Sequence, residues 1–74
     1  LILNNLIMAK IQLNGKKIDL KPNCSLFDLL KKYKISSNKV AIEHNGIIIP
    51  KIHYKKQILK NKDKIEVVAF IGGG

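Results

Sequence analysis

Ala9-Lys10-Ile11-Gln12-Leu13-Asn14-Gly15-Lys16-Lys17-Ile18-Asp19-Leu20 is the stretch that decides the fold. Ala9, Ile11 and Leu13 alternate with Lys10 and Gln12; past Asn14-Gly15, Ile18 and Leu20 alternate with Lys17, Asp19 and Lys21. A period of two sends successive side chains to opposite faces, so each half reads as a half-buried strand. Asn-Gly supplies the positive φ that a type I′ turn needs at both central positions, which predicts a tight hairpin. Pro22 ends the second strand because it has no N–H to give a ladder.

Ser25 is placed to open a helix, its hydroxyl capping the amide of Asp28 and the aspartate returning the contact, a variant of the capping box. Leu26, Leu29, Leu30 and Tyr33 fall at i, i+3, i+4 and i+7 and predict one apolar stripe. Lys31, Lys32 and Lys34 crowd the C-terminal end, where the helix dipole favours positive charge. So short a helix needs a sheet to cover. Lys39–His44 reads as a third strand, with Val40 and Ile42 inward and Ala41 and Glu43 outward. A second Asn-Gly turn, Asn45-Gly46, leads into Ile47-Ile48-Ile49, closed by Pro50. Residues 51–63 show no clean period; Tyr54, Ile58 and Leu59 are expected to anchor a crossover or a single helical turn. The last strand is expected over Lys64–Ile71, with Ile65, Val67 and Ala69 on one face and Glu66, Val68 and Phe70 on the other. The first and last strands are the most apolar, and pairing them side by side makes that pair parallel. The implied fold is α+β, a β-grasp: a mixed sheet of about five strands with one helix across one face.

The chain ends on Gly72-Gly73-Gly74 directly after that strand. Glycine loses the most freedom on ordering, so nothing in this thread favours a folded state, and it is expected to project with its carboxylate foremost. Residues 8–71 are read as the folded unit and residues 72–74 as the tail. Residues 1–7, which precede Met8, are read as an extension outside the fold, with packing on a neighbouring chain as the alternative. The net charge is +9 and all 14 basic residues are lysine. That excess raises acidic partners and nucleic acid. Nucleic acid is disfavoured because no arginine is present for bidentate readout, and Phe27, Tyr33, Tyr54 and Phe70 do not cluster into a stacking platform. One cysteine excludes an internal disulfide framework and a multi-cysteine metal site. No apolar run is long enough to span a bilayer and no signal-peptide pattern is present, so the expected setting is cytoplasmic, or the plastid stroma if the gene is organellar.

Strand-Asn-Gly-strand, Ser-Leu-x-Asp-Leu-Leu, Val-Ala-Ile-Glu-x-Asn-Gly, Ile-Pro and the closing Asp-x-Ile-Glu-Val-Val-x-Phe-Ile-Gly-Gly-Gly together resemble the ThiS family of thiamin-biosynthesis sulfur carriers, from Met8 to Gly74. The resemblance implies the β-grasp fold and a chain that is not an enzyme but a co-substrate of partner enzymes. It implies that a ThiF-like activating enzyme uses ATP to adenylate the Gly74 carboxylate. Sulfur from a donor such as a cysteine desulfurase then replaces the adenylate to give a thiocarboxylate, which a ThiG-like thiazole synthase consumes. Gly73 and Gly74 match the family's diglycine and Gly72 extends it. The chemistry agrees: a carboxylate is a poor electrophile until it carries a leaving group, and the terminal carboxyl, with a pKa of roughly 3.3–3.7, is ionised and able to attack a phosphate. Residues without Cβ can thread a narrow channel.

Val68 and Phe70 alternate away from the core set and are expected, with Ile71, to form the partner-binding surface; the alternative is that the chain's own residues cover them. Cys24 reads as a small hydrophobe, a persulfide relay being the reading that its place before a helix would favour through a lowered pKa. His44 and His53 lack metal-ligand spacing and default to surface or loop positions. Asp63 and Glu66 read as turn-forming and solvated; no metal or bound cofactor is expected. The competing functions are a carrier for molybdopterin or another sulfur acceptor, a basic β-grasp module binding RNA or protein, and a ubiquitin-like modifier.

Overall fold

The hairpin stretch folds as read. In the computed structural model, which describes residues 8–70, β1 (Ala9–Leu13) pairs antiparallel with β2 (Lys16–Leu20), from Ala9 opposite Leu20 to Leu13 opposite Lys16. The turn between them has φ of 50° at Asn14 and 82° at Gly15, and Asn45-Gly46 repeats the conformation at 53° and 86°. That second turn joins β3 (Val40–His44) to β4 (Ile47–Ile48). β5 (Lys64–Ala69) completes a five-stranded sheet in the order β2-β1-β5-β3-β4. It runs parallel to β1, Gln12 against Lys64 and Leu13 against Ile65, and antiparallel to β3 from Val40–Ala69 to His44–Ile65. The last strand therefore occupies the centre of the sheet.

α1 (Leu26–Lys32) lies against the sheet with Leu26, Leu29 and Leu30 buried. Its start is the predicted capping box: the Asp28 N–H donates to Ser25 Oγ at 3.0 Å and the Ser25 N–H to Asp28 Oδ2 at 3.1 Å. Tyr33 departs from the expected stripe. It stands as the C-cap, largely exposed, because Lys34 takes a left-handed φ of 56° and turns the chain off the helix. The Lys34 N–H then reaches the Lys31 carbonyl and the Ile35 N–H that of Leu30, a Schellman arrangement that brings half-buried Ile35 to the core instead.

Ile11, Leu20, Leu26, Leu29, Leu30, Val40, Ile42, Tyr54, Leu59 and Ile65 form one core between helix and sheet. The crossover is a 3₁₀ turn (Lys51–His53) followed by irregular chain, and Tyr54 and Leu59 anchor it as expected. Ile58 does not: its side chain is exposed, and its backbone pairs with Ser25 while the Leu26 N–H bonds the Gln57 carbonyl and the Leu59 N–H that of Cys24. Ala69, expected inward, is also exposed. It lies beyond the end of β1, where the sheet has lost its neighbour on that side.

Beyond Leu13 the side chain of Asn14 takes over the ladder. The Val67 N–H donates to Asn14 Oδ1 at 2.7 Å and Asn14 Nδ2 returns to the Val67 carbonyl at 3.3 Å, while the Asn14 N–H bonds the Ile65 carbonyl at 2.9 Å. Asn45 grips the other end of β5: its N–H bonds the Lys64 carbonyl and the Lys64 N–H bonds Asn45 Oδ1, both at 2.8 Å. Asn14→Gly keeps the turn's positive φ but removes this side chain. The expected loss is about 1 kcal/mol in urea denaturation, with faster hydrogen exchange at the Val67 amide than in the parent and the Ile65 amide still protected. Unchanged exchange at Val67 would show that Asn14 serves the turn alone.

Candidate functional site

Val68 and Phe70 stand 56% and 60% exposed on the sheet face away from α1, so the chain's own described residues leave the expected patch open. The Phe70 backbone is held, its N–H donating to the Lys39 carbonyl at 2.9 Å, so the ring sits on a fixed base at the root of the tail. Register places Ala41 opposite Val68 and Ile48, 66% exposed, opposite Glu43 on the same face. An open groove lined by Ala41, Ile48, Ile49 and Phe70 runs past this patch, with Asn38 and Lys51, joined by a hydrogen bond, at its rim. Contiguous exposed apolar groups of this kind mark contact surfaces more often than isolated ones do. Ile71, Gly72, Gly73 and Gly74, the remaining predicted site residues, lie outside the described residues, as does the 1–7 segment.

At the opposite end of β5 the structure corrects the reading of two residues. His44 and Asp63, expected on the surface or in solvated turns, have side chains only 10% and 13% exposed and meet at 2.7 Å, Nε2 to Oδ2. Gln57 Nε2 bonds His44 Nδ1 at 2.7 Å, Asn45 Nδ2 donates to Asp63 Oδ1 at 3.0 Å, and the Lys60 N–H donates to Asp63 Oδ2 at 2.7 Å. Burial pushes the Asp63 carboxyl up, but the bonds from Lys60, Asn45 and His44 outweigh it and hold the group below the ordinary carboxylate range. No sequence signal marked this cluster, because its members are brought together across 19 positions by the β3–β5 pairing. It joins the second turn, the crossover and the start of β5, and it sits at the far end of the strand from the tail.

Cys24 is half-buried beside the helix start, and burial, followed by the charge of Asp28, raises its thiol pKa, with Lys32 opposing. A relay thiolate would need the reverse shift. Among the described residues no three side chains of His, Cys, Asp or Glu gather where they would hold a metal ion, and no helix is long and apolar enough to cross a membrane.

A mixed sheet with the last strand at its centre and one covering helix defines a β-grasp domain, with an open apolar face at that strand's end. The comparisons narrow this. The model of the ThiS family matches residues 3–74. The sulfur carrier protein ThiS of Bacillus subtilis is 40% identical over 65 residues, covering 86% of this chain and 98% of that one. The crystal structure of a thiamine biosynthesis protein (ThiS) from Geobacter metallireducens superposes with a TM-score of 0.75 at 26% identity, over 88% of this chain and 99% of that one. A thiazole synthase of Paramagnetospirillum magneticum contains a segment 38% identical over 65 residues; it covers 88% of this chain, and this chain spans only 20% of that protein's length. The chain belongs to the ThiS family, small sulfur-carrier proteins that are not themselves catalysts.

The Asp63 cluster gives a pH dependence with a definite sign. A carboxyl whose folded pKa is depressed adds stability above its unfolded pKa of about 3.9, and that contribution is lost as pH falls through the folded value. Asp63→Asn is expected to flatten the acid limb of the stability–pH curve between about pH 5 and the acid extreme. It should also cost about 1–3 kcal/mol near neutrality, as the bonds from His44 and the Lys60 N–H lose their ionised acceptor. An acid limb as steep as the parent's would remove Asp63 as its source.

Proposed function

We propose that this chain is a sulfur carrier for thiazole formation in thiamine biosynthesis and that Gly74 is the residue that carries the sulfur. The observation that carries the reading is the ThiS match over residues 3–74, supported by near full-length similarity to the Bacillus carrier. In this reading residues 8–71 are the folded unit, residues 1–7 stand outside it, and Gly72 and Gly73 thread the tail into partner sites. The Gly74 carboxylate attacks the α-phosphate of ATP in a ThiF-like enzyme, and pyrophosphate leaves. The outer sulfur of a persulfide, supplied by a donor such as a cysteine desulfurase, then displaces AMP to give an acyl disulfide, and a thiol reduces that bond, leaving the thiocarboxylate and a new disulfide. The chain supplies the acyl group; the adenylating enzyme holds the ATP and the catalytic groups. Thiazole synthase is favoured as the acceptor over the molybdopterin pathway because relatives bearing that name contain a segment like this chain. The setting proposed is the cytoplasm, or the plastid stroma where the gene is organellar.

Two experiments test the reading. A chain ending at Gly73 should support no ATP–pyrophosphate exchange by the activating enzyme while its circular dichroism matches the parent. Exchange at the parental rate would contradict the assignment of Gly74. Phe70→Ala should raise the KM for the carrier about tenfold, equivalent to about 1.4 kcal/mol, with stability changed by less than about 0.5 kcal/mol, as for an exposed side chain. A sharp fall in melting temperature with unchanged KM would make Phe70 a core residue and remove it from the partner surface.

A further inference from the structure

A second groove lies where α1 meets the 3₁₀ turn of the crossover, lined by Phe27, Ser37, Lys51, Ile52, Tyr54 and Lys55. The Phe27 N–H bonds the Tyr54 carbonyl at 3.1 Å, so helix and crossover are tied together along it. Tyr54 is only 4% exposed, yet its hydroxyl has no hydrogen-bond partner among the described residues. Buried tyrosine hydroxyls ordinarily find one. No fully buried polar side-chain atom goes unpaired among those residues, so this hydroxyl opens at the surface. Burial holds its pKa above the ordinary phenol value, which keeps it a neutral donor.

The charges around the groove are also unmatched. Lys55 Nζ and Lys31 Nζ stand 4.9 and 5.6 Å from the centre of the Phe27 ring. The ring attracts both, but two ammonium groups gathered at one ring repel each other. Neither takes part in an ion pair: those among the described residues are Lys10–Asp19 and His44–Asp63. Ile52, beside them, is largely exposed. Apolar surface, an open hydroxyl donor and unpaired lysines together complement an acidic segment that carries an apolar side chain. Its carboxylates would take the hydroxyl and the ammonium groups, and its apolar side chain would lie on Phe27 and Ile52.

The position of the groove indicates which partner brings that segment. It shares Ser37, Lys51 and Tyr54 with the groove that passes Phe70, so a protein seated in it stands beside Phe70 and leaves Val68 open. In the proposed reaction the activating enzyme still holds the acyl-adenylate when the persulfide arrives. The donor therefore needs a part of the carrier that this enzyme leaves free. Thiazole synthase takes the carrier only after AMP has gone and has no such need. We propose that the groove between α1 and the 3₁₀ turn seats an acidic segment of the persulfide donor, received by Lys31, Lys55 and the Tyr54 hydroxyl. The proposal rests on the carrier reading.

Calorimetric titration of the full chain with its persulfide donor tests it. Lys31→Gln combined with Lys55→Gln should raise the Kd about tenfold. Ile52→Ser, at an exposed position that the core does not use, should raise it about threefold. Both variants should keep the parental KM in ATP–pyrophosphate exchange by the activating enzyme. Lys16→Gln with Lys17→Gln removes the same charge from β2, the edge strand opposite β4, and should leave the Kd within about twofold. Equal weakening by the two lysine pairs would reduce the effect to net charge and overturn the proposal. Parental Kd in either groove variant, or no donor binding by the parent, would overturn it too. A raised KM for the activating enzyme or thiazole synthase with unchanged donor binding would overturn it as the wrong partner. All these outcomes leave the carrier reading standing while the parent supports exchange; a parent that supports none would overturn both.

Discussion

The structure depends on one constraint: the last strand is held in the middle of the sheet, parallel to the first strand on one side and antiparallel to the third on the other. A central strand has both rows of backbone groups paired, so it is the least free to shift. Here the hold is completed by side chains at each end. Asn14 extends the short parallel ladder by bonding the Val67 backbone, and Asn45 bonds both backbone groups of Lys64. The same two Asn-Gly turns that reverse the hairpins also clamp the strand between them. Without that clamp, the parallel pairing would rest on the short register from Gln12–Lys64 to Leu13–Ile65.

The consequences for function are mechanical. A strand fixed along its length delivers whatever follows it from a defined point and in a defined direction. The helix and crossover cover one face, leaving the other to display Val68 and Phe70 at that point. The polar cluster of His44, Asp63, Gln57 and Asn45 secures the opposite end, so the strand is braced from the end away from Val68 and Phe70. Rigidity at the end of β5 fixes the orientation in which the exposed Val68 and Phe70 are presented.

Local chemistry was legible in the amino-acid sequence wherever a neighbouring residue completes it. Both Asn-Gly turns, the Ser25–Asp28 capping box and the alternation of Ile11, Ile42 and Ile65 need only nearby residues to be read, and the parallel pairing of first and last strands followed from their shared apolarity. What escaped was tertiary. Tyr33 fits the helical period but falls past a helix end that left-handed Lys34 imposes. Ile58 anchors through its backbone rather than its side chain, a choice that the opposing Ser25 makes. His44 and Asp63 looked like unrelated surface groups because their meeting depends on strand register. Asn14 and Asn45 each carry a second role beyond their turns for the same reason. The exposure of Val68 and Phe70 was readable from alternation alone.

The most direct measurement of the central claim is intact-mass spectrometry of the chain after incubation with its adenylating enzyme, ATP and a sulfur donor, followed by fragmentation to place the modification. The account predicts exchange of one oxygen for sulfur, confined to Gly74, and dependent on ATP. A sulfur found on Cys24, or a chain recovered unmodified while the enzyme is active on a known carrier, would contradict it.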